Sequence, residues 1–269
     1  MTPQLMSFHT AATTGFAFSF GAVAFADDQD LAKKLSNPVA SLISVPFQLN
    51  YDEEVGAGNG ERFQLNVQPV IPFGISEDWN LISRTIFPIV SQDDVVPTEG
   101  SQFGTGDTVQ SLFFSPKAPA DSGIIWGVGP VLLLPTASEN TLGSEKWGLG
   151  PTGVVLRQSG HWTVGLLANH IWDYAGERDR ADINSTFLQP FTSYTTPTAW
   201  TYTVNSESTY DWEASHWSAP VNFQITKLTS IGSQPFSVGG GLRYWVESPD
   251  DSGPDGWGVR LIATLLFPE

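Results

Sequence analysis

Twelve segments of this chain alternate apolar and polar residues with a period of two. In the first segment the odd positions are apolar, and the positions between them hold polar residues or proline. The apolar set is Ile43, Val45, Phe47, Leu49 and Tyr51. Successive side chains of a β-strand point to opposite faces, so each segment predicts a strand with one apolar face and one polar face. The segments are 41–51, 62–73, 79–90, 106–116, 123–134, 147–157, 161–172, 183–194, 199–209, 217–227, 235–246 and 256–267.

Two architectures use such strands, and they place the apolar face on opposite sides. In a soluble sandwich the apolar faces turn inward to form the core. In a transmembrane barrel they turn outward to lipid, and polar groups line the interior. Each segment has about eleven residues, the length that a tilted strand needs to cross a bilayer. Segment length therefore favours the barrel.

The connections between the segments distinguish the two architectures more strongly. The odd-numbered connections are long and acidic: 52–61, 91–105, 135–146, 173–182, 210–216 and 247–255. Most even-numbered connections are short, and nineteen of the 28 carboxylates lie in the odd-numbered ones. Outer-membrane barrels have long external loops and short periplasmic turns, whereas a sandwich gives no reason for this sorting. The sequence predicts an all-β fold: a single antiparallel transmembrane β-barrel of twelve strands in the bacterial outer membrane, with a short N-terminal helix.

Composition and charge narrow the possible partners. The chain has 269 residues, no cysteine and a formal net charge of −16. Nucleic-acid binding requires a basic surface, so we expect no nucleic-acid partner. The lack of cysteine excludes disulfides and thiolate metal sites, and we predict neither a cofactor nor a metal site. The expected partners are outer-membrane lipid, lipopolysaccharide and a small-molecule solute; the sequence does not define an oligomeric state.

Residues 1–26 are predicted to be a signal peptide. Residues 11–26 are mostly small or apolar and end in Ala24-Phe25-Ala26, a small-x-small cleavage pattern followed by Asp27. The first ten residues contain no lysine or arginine, which departs from the usual signal peptide. A buried N-terminal strand is the alternative.

Residues 27–40 are predicted to be a periplasmic or lumenal lead-in to a barrel that spans residues 41–269. Apolar residues recur at helical spacing, and Pro38 is expected to stop the helix before the first strand. The apolar positions are Leu31, Leu35, Val39 and Leu42. The helix is expected at the mouth of the barrel or inside it, and a flexible lead-in is the alternative.

Large aromatic residues fall near the ends of the predicted strands. They are Tyr51, Trp79, Trp147, Trp162, Trp172, Trp200, Tyr210, Trp217, Tyr244 and Trp257. Outer-membrane barrels carry aromatic girdles at headgroup depth, where each strand enters and leaves the membrane. Ordinary core aromatics are the alternative, but cores place them in the middle of strands as readily as at the ends.

A set of motifs resembles one bacterial family over residues 31–269. The motifs are Gly104-Thr105-Gly106-Asp107, Ser115-Pro116-Lys117, Gly127-Val128-Gly129-Pro130, Leu134-Pro135-Thr136, Lys146-Trp147, Gly150-Pro151, Asn169, Gln189-Pro190-Phe191 and Tyr210-Asp211-Trp212. Together they resemble the outer-membrane transporter family named for the MetA pathway of phenol degradation, some relatives of which carry the label neuromedin U. The resemblance implies a barrel that takes up small, often hydrophobic molecules. It supplies no catalytic residues.

The polar phase of the strands places several charged and amide side chains inside the barrel. A lipid-facing arginine at mid-membrane costs about 2–4 kcal/mol, which supports the inward phase. The candidate lumen or constriction residues are Arg84, Asp107, Asn205, Glu207, Arg243 and Arg260. Such residues could form a solute-selective constriction or a salt-bridge network that fills a narrow lumen.

The predicted function is a channel or transporter for small solutes, with hydrophobic or aromatic solutes as candidates. A non-conducting structural or interaction barrel is the alternative. A remote third possibility is an outer-membrane lipid hydrolase, because His216 and Ser218 share a strand face as a base and a nucleophile would. That hydrolase also requires an amide to orient the histidine, and the neighbouring strand offers no good candidate. We therefore predict that the protein is not an enzyme.

Overall fold

The computed structural model describes residues 21–268, with side chains from residue 28 onward. Its elements are α1 (Gly21–Leu35), β1 (Ile43–Val55), β2 (Gly60–Val67), β3 (Val70–Gly74), β4 (Trp79–Asp93), β5 (Gln102–Thr105), β6 (Thr108–Pro116), β7 (Ile124–Leu134), β8 (Lys146–Ser159), β9 (Trp162–Gly176), β10 (Asn184–Thr195), β11 (Trp200–Ser206), β12 (Ser208–Asp211), β13 (His216–Ile231), β14 (Gln234–Glu247) and β15 (Gly256–Phe267). No described helix is both long and apolar enough to cross a membrane.

The fifteen β segments form one closed antiparallel sheet. Each strand pairs with its sequence neighbours, and β15 pairs with β1 from Ile43–Phe267 to Asp52–Gly258, which closes the barrel. Three barrel strands are interrupted, as β2 and β3, β5 and β6, and β11 and β12, so the segments make twelve strands. Each of the twelve strands predicted from the sequence overlaps one of them. The predicted fold class is confirmed.

Proline explains one of these interruptions. The register of β11 with β13 continues unchanged into β12, so Glu207 lies opposite Pro220. Proline has no N–H to donate to the neighbouring strand, and the ladder therefore skips this position. The strand itself keeps its course, and the alternation carries Glu207 to the lumenal face together with Asn205.

The apolar faces of the strands turn outward, as the sequence predicted. On β15, Leu261 is 56% exposed, whereas the adjacent Arg260 is only 1% exposed. Exposed Val164, Val221 and Leu242 continue the apolar surface on other strands. In water such a belt would be a large aggregation-prone patch, whereas in a bilayer it contacts lipid. The molecule is therefore a transmembrane β-barrel of the outer-membrane class.

Exposed aromatic residues lie at both ends of this belt. Trp79, Trp162 and Trp200 stand at the first residues of their strands, at the end of the barrel where β1 begins and β15 ends. Tyr244 and Trp257 lie at the opposite end, with ring centroids 4.9 Å apart. The two sets form the girdles expected at the membrane–water interfaces.

An arginine on the outer surface is expected to destabilise the barrel according to its depth in the membrane. Leu261→Arg, in the middle of β15, should cost about 2–4 kcal/mol, whereas Trp257→Arg, at the girdle, should lose no more than about 1 kcal/mol of lipid-contact energy. Equilibrium unfolding in urea, with the protein reconstituted in lipid bilayers, measures both. Equal losses at the two positions would contradict the assignment of the belt.

The interior is less uniformly polar than the alternation predicts. Inward-facing apolar side chains of β4 to β9 pack into a cluster that includes Ile82, Phe113 and Leu167, together with Val39 from the segment after α1. The ring of Phe191 occupies the space beside Gly165. This half of the lumen is therefore a packed core rather than a water-filled channel.

The N-terminal segment packs into the periplasmic end of the lumen, where Ala32, Ala40 and Leu42 contact Ala199, Leu228 and Leu266. Helix α1 ends at Leu35, three residues before Pro38, so the predicted helical positions Val39 and Leu42 lie in a segment of turns instead. Lys33 donates a hydrogen bond to the Gly160 carbonyl (2.8 Å), which fixes the helix to the turn between β8 and β9. The predicted signal peptide lies mostly outside the described residues, because residues 1–20 are not described.

Candidate functional site

A continuous row of cross-strand pairs carries three charged side chains of the lumen together with several amides. The row runs through Asn205, Asn222, Arg243, Gly258, Asp52, Arg62, Gln92 and Gln102. Each residue lies directly opposite the next on the neighbouring strand, and the inward phase brings all of their side chains to the lumen. We call this row, together with Asn50, Arg84, Glu207 and Arg260, the lumenal charge layer.

Arg243 and Asp52 form a buried ion pair within the layer. Arg243 Nη1 lies 3.2 Å from Asp52 Oδ2, and their side chains are 8% and 6% exposed. Trp245 Nε1 donates to the other oxygen of Asp52 (3.0 Å), and the Arg243 guanidinium lies 4.7 Å from the centre of the Trp245 ring. Trp245 thus contacts both members of the ion pair and fixes their geometry.

The absence of a side chain at Gly258 makes room for this pair. A Cβ there would collide with the Asp52 carboxylate and lie 2.7 Å from Arg243 Cγ. Gly258 lies between the two on the intervening strand. A glycine at this position therefore has a steric role in the ion pair.

Arg260 and Glu207 form a second ion pair that crosses the lumen. The two strands that carry them are separated by β13 and β14 in the barrel wall. Arg260 donates to both Glu207 oxygens (3.0 and 2.7 Å) and through Nε to Asn50 Oδ1 (2.7 Å). This bidentate bridge therefore links two non-adjacent strands across the lumen at the inner edge of the outer cavity.

Two further arginines in the layer have no carboxylate hydrogen-bonded to them among the described residues. Arg62 Nε donates to Gln92 Oε1 (3.0 Å), and Arg84 Nη2 donates to Gln68 Oε1 (3.2 Å). Four guanidinium groups therefore face two carboxylates in the layer.

A polar cavity of about 360 Å³ lies on the external side of the layer. Its walls come from Arg62, Glu207, Arg243 and Arg260 with amide and hydroxyl side chains, and its roof is the segment 249–254. The roof is fixed to the first external loop, because Gly56 N donates to the Gly253 carbonyl (2.9 Å).

A second cavity, of about 240 Å³, lies on the periplasmic side of the layer. Arg84 and several amide side chains line the end nearest the layer, and α1 forms part of the opposite wall. Its apolar lining includes Val70, Phe191 and Leu228. This inner cavity is therefore amphipathic, whereas the outer cavity is polar.

The structure brings five of the six residues proposed from the sequence into the lumen and separates the sixth. Arg84, Asn205, Glu207, Arg243 and Arg260 all line one of the two cavities.

Asp107 does not join the lumenal arginines. Its carboxylate accepts hydrogen bonds from the backbone N–H groups of Ala137 and Ser144 (3.2 and 2.6 Å) and from the Ser144 hydroxyl. Asp107 therefore fastens the external connection between β7 and β8 to the break between β5 and β6.

Two lumenal charges are missing from the sequence-based set. Asp52 was assigned to the external loop 52–61, yet β1 continues to Val55 and turns Asp52 into the lumen. Arg62 was likewise taken as the edge of a strand. A signal was present in both cases, because the polar phase of Gln48 and Asn50 extends to Asp52 and that of Gln64 and Asn66 extends back to Arg62.

His216 and Ser218 line the outer cavity. A lipid hydrolase of the barrel type would present these groups to its acyl-chain substrate in the membrane. Here they face the lumen, away from the lipid-contacting belt. This placement gives no support to hydrolysis of membrane lipid.

Comparison with known proteins identifies the fold but not the family. No protein-family model matches this sequence, and no curated protein gives a significant match. Among solved structures, the chain resembles an outer membrane channel from Pseudomonas putida F1, with a TM-score of 0.65 and 13% identity over 85% of this chain and 96% of that one. Weaker likenesses are to the β domain of the Bordetella autotransporter BrkA (TM-score 0.38, 9% identity, 83% and 98% of the two chains) and to a bacterial polysaccharide outer membrane secretin (0.34, 10%, 86% and 100%).

Proposed function

We propose that this protein is an outer-membrane channel for small solutes. One observation carries the proposal: two cavities lie end to end in one lumen, and side chains alone separate them. The separating bridge, Arg260–Glu207, consists of rotatable groups, so a rotamer change can connect the cavities without a change in the barrel. The structural similarity to the Pseudomonas channel supports a barrel fold of the kind that this function requires.

The arrangement of charge suits weak ionic conduction. Carboxylates dominate the external connections and attract cations to the outer mouth within about a Debye length, roughly 8 Å at physiological salt. The lumenal charge layer has the opposite sign. Neither cations nor anions therefore meet a favourable electrostatic potential along the whole path, and the selectivity between them is expected to be modest.

The inner cavity favours solutes with an apolar part. Phe191, Val70 and Leu228 offer apolar contact next to the amide groups of Gln68 and Gln189. Small pockets with apolar walls and a few polar groups are typical of sites for small organic molecules. Small hydrophobic or aromatic solutes fit this lining.

A non-conducting barrel is the second candidate function. The observation in its favour is the apolar cluster around Val39 and Phe113, which fills one side of the lumen. In that case the acidic external loops would act as an interaction surface, and the lumenal ion pairs would serve only stability.

Planar-bilayer recording of the refolded protein separates the two functions. We expect small, discrete current steps in potassium chloride and a reversal potential close to zero in a salt gradient. Heat-denatured protein in the same detergent is the control for non-specific leakage. A silent bilayer with protein shown to be folded by its heat-modifiable gel migration would favour the non-conducting barrel.

A further inference from the structure

The lumenal charge layer carries an excess of two positive charges. Arg62, Arg84, Arg243 and Arg260 face only Asp52 and Glu207, and each carboxylate has a hydrogen-bonded arginine already. Asp52 lies directly opposite Arg62 on the neighbouring strand and is already in an ion pair with Arg243. Charges removed from bulk water are costly unless they are paired. A bound anion would therefore stabilise the two positive charges that have no carboxylate partner in the layer.

Unsatisfied donors point to the place where that anion is needed. The Nε of Arg243 is buried and has no hydrogen-bond partner among the described residues. Arg62 offers its two Nη groups, because only its Nε is hydrogen-bonded, to Gln92. Both residues line the outer cavity. Guanidinium groups in such an arrangement are the preferred protein ligands of carboxylates and phosphates.

We propose that the outer cavity is a binding site for a small organic anion, with its carboxylate held between Arg62 and Arg243. The proposal rests on the channel function, and it names the class of solute for which the layer is built. Gln64, Asn66 and Ser218 line the same cavity and can donate further hydrogen bonds. The volume of about 360 Å³ accommodates a molecule of a few carbon atoms.

The inner cavity provides a second binding position for the same solute. Arg84 lines the inner cavity, on the periplasmic side of the Arg260–Glu207 bridge. An anion that exchanges with Glu207 at Arg260 reaches Arg84 next. Beyond Arg84 the apolar walls of the inner cavity receive the hydrocarbon part of a monocarboxylate with a short apolar tail. In the outer cavity the tail can lie against Trp245, Pro249 and Pro254.

Isothermal titration of the mature protein in detergent tests the site without any need for conduction. The probes are hexanoate, its neutral counterpart hexanamide, and inorganic phosphate, in dilute Tris buffer. We expect saturable 1:1 binding of hexanoate, which hexanamide does not show. Phosphate should compete at higher concentration, because it shares the charge but lacks the tail. Equal binding of hexanoate and hexanamide, or no binding of hexanoate, would overturn the proposal.

Arg62→Gln is the decisive variant, because its guanidinium is bonded to an amide and its loss leaves Asp52 paired with Arg243. Hexanoate affinity should fall about tenfold or more, since a charge-assisted hydrogen bond is lost. Arg62→Lys should retain part of the affinity. Arg157→Gln removes an exposed charge at the opposite end of the barrel and should leave binding unchanged. An unaltered affinity in Arg62→Gln would refute the assigned site.

The same measurements separate this proposal from the channel itself. Hexanoate binding by a protein that gives no current would support the anion site and reject the channel. Current steps in a protein that binds no hexanoate would support the channel and reject the anion site.

Discussion

Arg260→Ala is expected to raise the single-channel conductance several-fold. The Arg260 side chain reaches across the lumen from Asn50 to Glu207, and under the proposed channel function this bridge separates the two cavities. Its removal also takes a positive charge from the constriction, so the reversal potential in a potassium chloride gradient should move towards cation selectivity. Planar-bilayer recording measures both quantities. Arg243→Ala should act in the same direction through its loss of charge.

Leu261→Ala is the matched control, because it lies next to Arg260 on the same strand and faces lipid. It should leave the current unchanged. Arg260→Ala leaves Glu207 without its hydrogen-bonded partner, a loss of up to about 3–5 kcal/mol for a fully buried pair. The double variant Arg260→Ala with Glu207→Gln removes both charges and shows whether changed current follows from the open bridge rather than from instability. Unchanged current and reversal potential in folded Arg260→Ala would exclude Arg260 from the conduction path.

Deletion of residues 27–37 is expected to have the largest effect on conductance. The segment covers the periplasmic end of the lumen and forms part of the wall of the inner cavity. It contributes no strand, so the barrel should still close. Without this segment, the lumenal charge layer is the obstacle to ion flow that remains. The conductance in planar bilayers should therefore increase strongly.

A milder variant tests whether α1 must be fixed to the barrel wall in order to obstruct ion flow. Lys33→Ala removes the hydrogen bond to Gly160 but leaves the helix in the chain. We expect an intermediate current with more frequent transitions between levels, because the helix is less firmly held. Combination of the deletion with Arg260→Ala should give the highest conductance. A truncated barrel with the conductance of the full chain would show that α1 does not close the channel.

The strands were predictable because their signal is local. A period of two depends only on consecutive residues, and lipid outside the barrel requires the apolar face on one side along every strand. The alternation therefore assigned Leu261 to the lipid-facing side and Arg260 to the lumenal side without any information about the neighbouring strands. The polar phase likewise placed Arg84, Glu207 and Arg243 in the lumen.

The limits of the external loops were less predictable. Barrel strands continue above the membrane, where polar residues on both faces are tolerated, so the alternation fades before the strand ends. For this reason Asp52 appeared to belong to a loop and Arg62 to the edge of a strand. Asp107 was misplaced for a related reason: it lies at a break between two strand segments, where alternation no longer defines direction.

The sequence by itself determined the class of the fold, the number of strands and the face of most side chains, because each follows from local periodicity and from the length needed to cross a bilayer. Only the tertiary structure decided which of the lumenal charges meet. Asp52 and Arg243 are far apart in the chain, and the closure of β15 on β1 sets the register that joins them across Gly258. The N-terminal helix and Val39 pack inside the lumen through contacts that local periodicity does not encode. Pairing across a closed sheet is a non-local property, and it alone divides this lumen into two chambers.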